Sequence, residues 1–341
     1  MNYIVFDLEW NQSPGGKKYS NSRLPFEIIE IGAVKMNEQR EVVDVFQRLV
    51  KPQVYNWIHD SIHEVIHVDY KDLADGEPFQ QAVREFLKWC GEEYVFCTWG
   101  NQDVMELQRN MKYYGMLSLL PGPVTYYDVQ KIYGICHEEA GGRRSLEFAI
   151  DQMGIPKAQD FHRALTDARY TGDIFKTLEP AAVCVNSSID VYQNPKNKKE
   201  EIFISYPTYD QYVSREFADK EKVMKDREVA STRCPVCHMP AKRKIRWFMN
   251  NSRAYESVSL CQKHGYIKGK VRIRHTDEDA YYAIKKLKED RRKKMRKKIR
   301  AKKGFPPQEE TGETSVREAG LKEAVSDNIW QSRLHDRYTY T

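Results

Sequence analysis

Two acidic residues interrupt what is otherwise a buried β-strand at the start of the chain. The segment YIVFDLEW is rich in the apolar, aromatic and β-branched residues that are typical of such a strand. Because side chains alternate along a strand, Asp7 and Glu9 share one face. An unpaired charge is costly in a buried strand, so this pair demands a partner. A strand end with two solvated acids is the alternative, and an isolated pair does not exclude it.

Three residues further along the chain extend this pattern. Asp103 follows a second apolar run in CTWGNQDVMEL, and His162 and Asp167 lie in DFHRALTDAR. Together with the first two acids they predict a site that hydrolyses phosphodiesters with two metal ions. Two divalent ions about 3.5–4 Å apart neutralise the phosphate, activate water and stabilise the leaving oxygen. Mg²⁺ and Mn²⁺ favour carboxylate oxygens, and histidine can accept a proton near neutral pH.

The order and spacing of these motifs resemble the DEDDh branch of the DnaQ-like 3′-to-5′ exonuclease superfamily, over about residues 1–180. Asp7 and Glu9 match the first motif, Asp103 the second, and His162 with Asp167 the third. The segments PFEIIEIGAVKM and TWGNQD are most similar to the Eri-type exoribonucleases and the related KapD group. The resemblance implies that Asp7, Glu9 and Asp167 hold the first of two Mg²⁺ or Mn²⁺ ions, and that Asp7 bridges to the second. It also implies that Asp103 acts on the second ion through water, and that His162 is the general base.

The resemblance also suggests contacts to the substrate. Leu8 and Trp10 flank the acids and would support the terminal base. Independently of the resemblance, residues 137–144 are a candidate substrate loop, in which two glycines would give Arg143 and Arg144 the mobility to reach a phosphate. Glu30 lies inside an apolar strand, either as a partner of the metal ligands or as a charge on the sheet face.

The first half of the chain alternates strand and helix patterns, with strands near residues 3–9, 28–36 and 42–49. This alternation indicates the α/β class. The resemblance implies an RNase H-like mixed sheet flanked by helices in a nuclease domain of residues 1–184. We interpret residues 185–230 as a linker or connecting segment.

Charge is divided unevenly between the two parts of the sequence. Residues 1–180 carry 19 basic and 27 acidic residues, a net charge of −8, whereas the remainder has a net charge of +14. An acidic half suits a metal centre, and a basic half suits a polyanion. We find no long apolar stretch and no signal peptide, which predicts a cytoplasmic protein with no membrane partner.

A second group of ligand-type residues lies in the basic half, in what would be a zinc-ribbon-like β module of residues 231–275. A C-x-x-C pair and a C-x-x-H pair are separated by 23 residues and comprise Cys234, Cys237, Cys261 and His264. This spacing predicts one structural Zn²⁺ bound by four protein ligands. Unrelated buried cysteines or a redox C-x-x-C are the alternatives, but the redox interpretation leaves the second pair unexplained.

A strongly basic stretch follows this module. Residues 281–303 contain 13 lysines and arginines and only two acids. Thr276 and the three acids after it indicate a helix start, and Gly304 indicates its end, so we predict a long basic helix at residues 276–304. Such a helix is either a solvated surface or a binding site for nucleic acid, such as structured RNA or a ribosome. We expect residues 305–341 to be a disordered tail.

The sequence thus predicts a metal-dependent 3′-to-5′ exonuclease that releases 5′-nucleoside monophosphates, with RNA favoured over DNA because of the Eri-type resemblance. Two alternatives stay open at this point. One is a DNA exonuclease with the same chemistry. The other is an adaptor that binds RNA or ribosomes and has a vestigial nuclease centre.

Overall fold

A six-stranded mixed sheet forms the first half of the protein. The computed structural model describes residues 1–57, 70–137, 142–157 and 162–290. The strands are β1 (Asn2–Gln12), β2 (Phe26–Met36), β3 (Val42–Leu49), β4 (Tyr94–Thr98), β5 (Val124–Asp128) and β6 (Ser188–Asp190). Across the sheet their order is β3-β2-β1-β4-β5-β6. β4 runs parallel to β1 and β5, and the other neighbours are antiparallel. The predicted mixed sheet is confirmed.

Helices flank both faces of this sheet, as predicted. They are α1 (Tyr70–Ala74), α2 (Phe79–Cys90), α3 (Gln102–Tyr113), α4 (Val129–His137), α5 (Leu146–Met153), α6 (Ala164–Thr177) and α7 (Pro180–Val185). Alternation along β1 divides the core. Ile4 and Phe6 pack with α2 and α3, whereas Val5 packs with α4, α5 and α6. Asp7 and Glu9 continue the face of Val5. No helix in the described ranges is long and apolar enough to cross a bilayer.

A second six-stranded sheet, antiparallel throughout, follows along the chain. Its strands are β7 (Ile202–Ser205), β8 (Tyr209–Val213), β9 (Lys242–Met249), β10 (Tyr255–Cys261), β11 (Gly265–His275) and β12 (Tyr281–Glu289), in the order β7-β8-β12-β11-β10-β9. Two short helices, α8 (Lys220–Val223) and α9 (Arg227–Ala230), place Val223 and Val229 against Val271 and Ala283 on one face. The other face carries many of the basic side chains of the sequence.

The prediction of a basic helix at residues 276–304 is wrong for its described part. Residues 281–289 form β12, whose buried side chains Ala283, Lys285 and Leu287 recur with the period of two that a strand requires. Residues 276–280 form the turn from β11, with the backbone N–H of Thr276 donating to Ala280 O at 2.8 Å. The helix prediction failed because basic residues dominate this stretch and its few apolar residues give only a weak alternating pattern. Residues 291–304 and the predicted tail at 305–341 lie outside the described residues.

The predicted domain boundaries also need correction. Residues 185–230 are not merely a linker, because they include β6 of the first sheet, β7 and β8 of the second sheet, and both short helices. The predicted module of residues 231–275 is therefore part of a larger sheet that starts at β7 and ends at β12. The segment EIFISYPTYDQYV is aromatic and β-prone, but its place in this sheet depends on long-range pairing: β8 pairs with β12, far along the chain, and β7 pairs with β8.

The turn between β11 and β12 is held against α3. The ammonium of Lys112, in the last turn of α3, lies 3.1 Å from Asp277 Oδ2 and 2.8 Å from Glu278 Oε1. Lys196 Nζ adds a longer contact of 3.4 Å to Glu278 Oε2. The helix that begins beside Asp103 thus ends at a contact with the second sheet.

Candidate active site and metal centre

Asp7 and Glu9 lie on the face of the first sheet that α6 covers. In the antiparallel β1–β2 pair, Asp7 stands opposite Gly32 and Glu9 stands opposite Glu30. Residues that face each other across such a pair share one side of the sheet. The neighbourhood of the two acids is therefore set by β2 as well as by β1.

Gly32 allows α6 to approach Asp7 closely. A Cβ at this position would lie 2.0 Å from the backbone nitrogen of Leu165 and 2.2 Å from the carbonyl carbon of Ala164, both in the first turn of α6. Any side chain larger than hydrogen would displace the helix. The sequence interpretation missed Gly32, although an isolated glycine in an apolar strand is a sign of close backbone approach.

The first turn of α6 brings Asp167 to the two strand acids. Carboxylate oxygens of Asp7, Glu9 and Asp167 all lie within 4.8 Å of one another. Asp167 Oδ2 accepts a hydrogen bond of 3.1 Å from the backbone N–H of His162, which has a positive φ of 66° just before the helix. The imidazole of His162 is exposed, and residues 158–161 before it lie outside the described residues.

Asp103 approaches the same acids from the other side of β1. It lies in the first turn of α3, directly after β4, and its Oδ1 accepts a hydrogen bond of 3.3 Å from the backbone N–H of Leu8. Leu8 is the residue between the two strand acids. Asp103 thus lies next to the group formed by Asp7, Glu9 and Asp167 without belonging to it.

Burial is the main cause of a raised pKa at all four carboxyl groups. The pKa of Asp7 is raised well above its usual value, and repulsion from Asp103 and Glu9 adds to the effect of burial. Burial raises the pKa of Glu9 to about 8, of Asp103 to about 7 and of Asp167 to about 6. Near neutral pH the group therefore holds protons unless a cation replaces them.

The donor atoms of this group fit a divalent cation. All of them are carboxylate oxygens, which Mg²⁺ and Mn²⁺ prefer. Asp167 Oδ1 is buried and has no hydrogen-bond partner among the described residues. A buried acceptor without a partner is costly, and a cation bound between Asp7, Glu9 and Asp167 would supply one.

Glu30 and Arg163 form a second layer behind the strand acids. Glu30 is 2% exposed and accepts hydrogen bonds from Arg163 Nε at 3.1 Å and Nη2 at 3.2 Å, and from Gln47 Nε2 at 2.7 Å. The Arg163 charge also opposes the upward shift of the Glu9 pKa. Of the two interpretations of Glu30, its position agrees with a partner of the metal-ligand group. The sequence interpretation missed Arg163.

The structure separates the predicted substrate contacts. The side chain of Leu8 is 3% exposed and lies in the hydrophobic core, because alternation turns it away from its acidic neighbours. Its backbone N–H faces Asp103, and its contact with the terminal base stays a prediction. Trp10 is half-buried and packs against Phe26, with ring centroids 6.0 Å apart.

Arg143 and Arg144 point in different directions. The Arg143 guanidinium donates to Asp128 Oδ2 at 2.7 Å and to Gln130 Oε1 at 2.6 Å. A Cβ on Gly100, in the turn that leads to Asp103, would lie 3.7 Å from Arg143 Nη1. Arg144 instead stacks its guanidinium over Phe148, 4.7 Å from the ring centroid. Arg143 thus lies beside the turn that leads to Asp103, whereas Arg144 packs on α5.

The four predicted zinc ligands converge in the second sheet. Their ligand atoms lie within 4.8 Å of one another. Cys237 Sγ is 3.7 Å from Cys261 Sγ, and His264 Nδ1 is 3.4 Å from Cys234 Sγ and 3.7 Å from Cys261 Sγ. A tetrahedral zinc ion would require S···S separations of about 3.8 Å and S···N separations of about 3.5 Å. The geometry therefore fits zinc.

Two tight turns build this cluster. In the first, the backbone N–H of His238 donates to Cys234 O at 2.8 Å, and His238 has a positive φ of 55°. Its ring faces Asp210 Oδ2 at 3.6 Å, away from the cluster. In the second, hydrogen bonds led by the backbone N–H of His264 lower the pKa of Cys261 to about 6. This shift favours the thiolate form that binds metals.

Comparison with solved structures finds nucleases. The nuclease domain of 3′hExo, a DEDDh family member bound to rAMP, is 17% identical and covers 55% of this chain and 96% of its own, with a TM-score of 0.48. Cell-death related nuclease 4 (CRN-4) is 16% identical and covers 58% and 73%, with a TM-score of 0.43. E. coli exonuclease I in complex with a dT13 oligonucleotide is 13% identical and covers 58% and 45%, with a TM-score of 0.44.

Comparison at the level of sequence gives one clear result. No curated protein matches the chain significantly. The model of the RNase_T exonuclease family, however, matches residues 4–175, about half of the chain. That range contains all the residues of the carboxylate site together with His162. The chain therefore belongs to the RNase_T exonuclease family, whose members remove nucleotides from the ends of nucleic acids.

Proposed function

We propose that this protein is a metal-dependent 3′-to-5′ exonuclease that acts on single-stranded RNA and releases 5′-nucleoside monophosphates. The observation that carries the proposal is the convergence of Asp7, Glu9 and Asp167 within 4.8 Å, beside Asp103. These residues come from β1, α3 and α6, and the fold gathers them despite their mutual repulsion. Such an arrangement is stable when a divalent cation neutralises it.

Each residue of the site has a proposed role. Asp7, Glu9 and Asp167 would hold one divalent ion, and Asp7 and, through water, Asp103 would act on a second. When bound, the ions neutralise the scissile phosphate and make water a stronger nucleophile. His162 would accept the proton of that water. Its backbone N–H already bonds to Asp167, which holds this residue beside the carboxylate group.

The preference for RNA is the finer part of the proposal. It rests on the similarity of PFEIIEIGAVKM and TWGNQD to the Eri-type exoribonucleases. Discrimination between the two sugars would depend on contacts to the 2′-hydroxyl. Competition between RNA and DNA strands of one sequence tests this preference independently of the chemistry. The cytoplasmic location also stays a prediction, as does the interaction with a ribosome or structured RNA.

We propose that Cys234, Cys237, Cys261 and His264 bind one structural zinc ion. The distances in the cluster support this proposal. The positions of its two turns also support it, since one turn precedes β9 and the other follows β10. With four protein ligands the ion would have no open position for a substrate. Its role would be to join the two turns and so stabilise the second sheet.

Cleavage of end-labelled strands tests the proposed function directly. Single-stranded RNA and DNA with a 5′ label are incubated with Mg²⁺, Mn²⁺ or EDTA, and products are followed over time. We expect a ladder that shortens from the 3′ end, requires the metal and is lost in His162→Ala. Asp151→Ala is the control, because Asp151 is an exposed acid on α5 that pairs with Lys157.

Two results would contradict the proposal. Internal cuts or shortening from the 5′ end would exclude a 3′-to-5′ exonuclease. Tight strand binding with no cleavage in any metal would instead favour an adaptor with a vestigial nuclease centre. A ladder on DNA that exceeds the ladder on RNA would retain the chemistry and overturn only the sugar preference.

A further inference from the structure

The second sheet has one face that α8 and α9 leave uncovered, and this face is basic. The cross-strand register places Lys270 opposite Lys286 and Lys268 opposite Lys288. Arg272 and Arg274 continue the same side of β11. We define the basic face as these side chains: Lys268, Lys270, Arg272, Arg274, Lys286 and Lys288. At about 3.4 Å per residue, its row on β11 is about 20 Å long.

The charges of the basic face are mostly uncompensated. Glu256 is the exception, since it stands opposite Lys270 in the register of β10 and β11 and pairs with Lys268 at 3.2 Å. Within the described ranges, the other members of the face have no carboxylate within ion-pair distance. Like charges in adjacent strands destabilise a sheet. A set of like charges on one exposed face is typical of a surface that binds a polyanion.

The basic face continues toward the nuclease sheet through stacked aromatic rings. Lys286 lies over the ring of Tyr209, 5.0 Å from its centroid. Tyr209 stacks on Tyr206 with centroids 4.5 Å apart, and Lys131 of α4 lies over Tyr206 at 4.6 Å. A continuous series of side-chain contacts thus connects the basic face to α4, the helix that follows β5.

Arg143 links this region to the carboxylate site. Arg143 bonds to Asp128 and Gln130, which lie just before Lys131 in the chain. Arg143 therefore lies at the nuclease-sheet end of the series of contacts that runs from Lys131 through the two tyrosines to Lys286. The pKa of Lys286 is lowered by burial and by the charges of Arg272 and Arg143, which agrees with this position. Arg143 also borders Gly100, in the turn that leads to Asp103. Contacts through Arg143, Lys131 and Lys286 thus lead from the turn before Asp103 to β12.

We propose that the basic face binds the single strand upstream of its 3′ end and leads that end, past Arg143, into the carboxylate site. This inference rests on the proposed function. A single strand fits better than a duplex, because the two rows of charge are only about 4.8 Å apart, the spacing of neighbouring strands. Positive grooves next to aromatic rings are the usual binding surfaces for single strands.

A triple variant separates this face from the catalytic site. Lys270→Gln, Arg272→Gln and Lys286→Gln are combined, and binding of a fluorescent RNA about 20 nucleotides long is measured by anisotropy in EDTA. Losing three phosphate contacts should weaken binding at least about tenfold and reduce the log–log salt slope by about 2. The matched control combines Lys220→Gln, Lys222→Gln and Lys225→Gln, exposed residues at or next to α8 that lie behind the opposite face.

Hydrolysis of a small substrate distinguishes failure of this proposal from failure of the proposed function. The 4-nitrophenyl ester of uridine 5′-monophosphate, which carries the 2′-hydroxyl, is too short to reach the basic face. We expect the triple variant to hydrolyse it as the wild type does, with kcat/KM reduced only on the long strand. Equal RNA binding by the triple variant and the control would overturn the basic face, as would an equal loss of activity on ester and strand. If the wild type hydrolyses neither substrate, the proposed function fails, and anisotropy still decides whether the face binds RNA.

Discussion

The two ligand clusters of this protein are built in opposite ways. Asp7, Asp103 and Asp167 come from distant parts of the chain and meet only because the first sheet and its helices bring them together. Cys234 and Cys237, by contrast, lie in one tight turn whose shape is set locally. The first cluster consists of carboxylates that repel one another. The second offers four soft ligands at the distances of a filled tetrahedron.

This difference separates a reactive site from a structural site. In the carboxylate group, burial raises the pKa of all four acids. The fold thus disfavours the ionised carboxylates that metal binding requires. In the Cys/His cluster, burial raises the pKa of Cys234, but backbone N–H groups lower the pKa of Cys261 and assist metal binding there. Loss of metal should therefore abolish activity at the first site and stability at the second.

The largest expected effect is on catalysis. Asp7→Asn removes a carboxylate that would bind the metal, and we expect strand cleavage to fall at least 10²- to 10³-fold, the range for loss of one electrostatic group in a transition state. In EDTA the thermal midpoint should rise at alkaline pH, where Asp7 would otherwise ionise beside Glu9 and Asp103. Single-turnover cleavage and thermal melting measure the two effects. Asp151→Asn is the control, and a lower midpoint in Asp7→Asn would mean that Asp7 serves folding.

Removal of a zinc ligand should affect stability instead. Cys237→Ser opens the tetrahedral cluster, and we expect loss of zinc and a stability loss of several kcal/mol in the second sheet, since structural zinc contributes about 10–16 kcal/mol in small zinc-binding peptides. Metal content by mass spectrometry and hydrogen exchange of residues 202–290 measure this. Cys136→Ser, at an exposed cysteine of α4, is the control. Full zinc content in Cys237→Ser would contradict the proposed ligand set.

A single methyl group should damage the carboxylate site without changing any charge. Gly32→Ala places a Cβ 2.0 Å from the Leu165 nitrogen, so α6 must move and carry Asp167 with it. We expect a stability loss of about 1–3 kcal/mol and a fall in cleavage of about 10²-fold. Gly172→Ala on the same helix is the control, because its nearest contact is 3.4 Å to a Val34 side-chain atom. Unfolding in denaturant and cleavage assays provide the readouts, and normal cleavage by Gly32→Ala would show that α6 has room to shift.

The smallest effect concerns pH. Acids whose pKa is raised by folding hold their protons more tightly in the folded state, so their contribution to stability is present at low pH and is lost as pH rises through about 6 to 8. Bound Mn²⁺ replaces those protons. We therefore expect the increase in thermal midpoint on adding Mn²⁺ to be larger at pH 8 than at pH 6. An increase that is equal at both values, or larger at pH 6, would contradict the origin assigned to the shifts.

The carboxylate site was predictable from sequence because its parts carry strong local signals. Asp7 and Glu9 interrupt a buried strand, and Asp103 begins a helix directly after another. Their surroundings were not predictable. Arg163 acts through its ion pair with Glu30, which the register of β1 and β2 places behind Glu9. Gly32 did carry a signal, an isolated glycine in an apolar strand, but not the identity of the helix that approaches it. The same limit applies to Leu8, whose side chain belongs to the core.

The second sheet shows where sequence patterns fail. The zinc-ligand spacing is local and was recognised, but β12 was assigned to a helix because its lysines dominate its composition. Lys285 is 3% exposed, and its ammonium donates to the carbonyl oxygens of Glu228 and Ser231. Lys285 thus occupies a buried strand position where an apolar residue is expected. Its ammonium is satisfied there by α9 and by Ser231, which directly follows α9. Charge thus replaced the hydrophobic alternation on which the prediction depended.

Because Lys112 contacts the β11–β12 turn through ion pairs, ionic strength should affect both the junction between the two sheets and the binding of a polyanion. The ion pairs of Lys112 with Asp277 and Glu278 are partly exposed, so each contributes little at moderate salt and less at high salt. The helix that ends at Lys112 begins beside Asp103 and is about 18 Å long. Rising salt concentration would therefore weaken the contact between the two sheets and also lower the affinity for a polyanion. Rate measurements made at a single buffer concentration would merge these two effects.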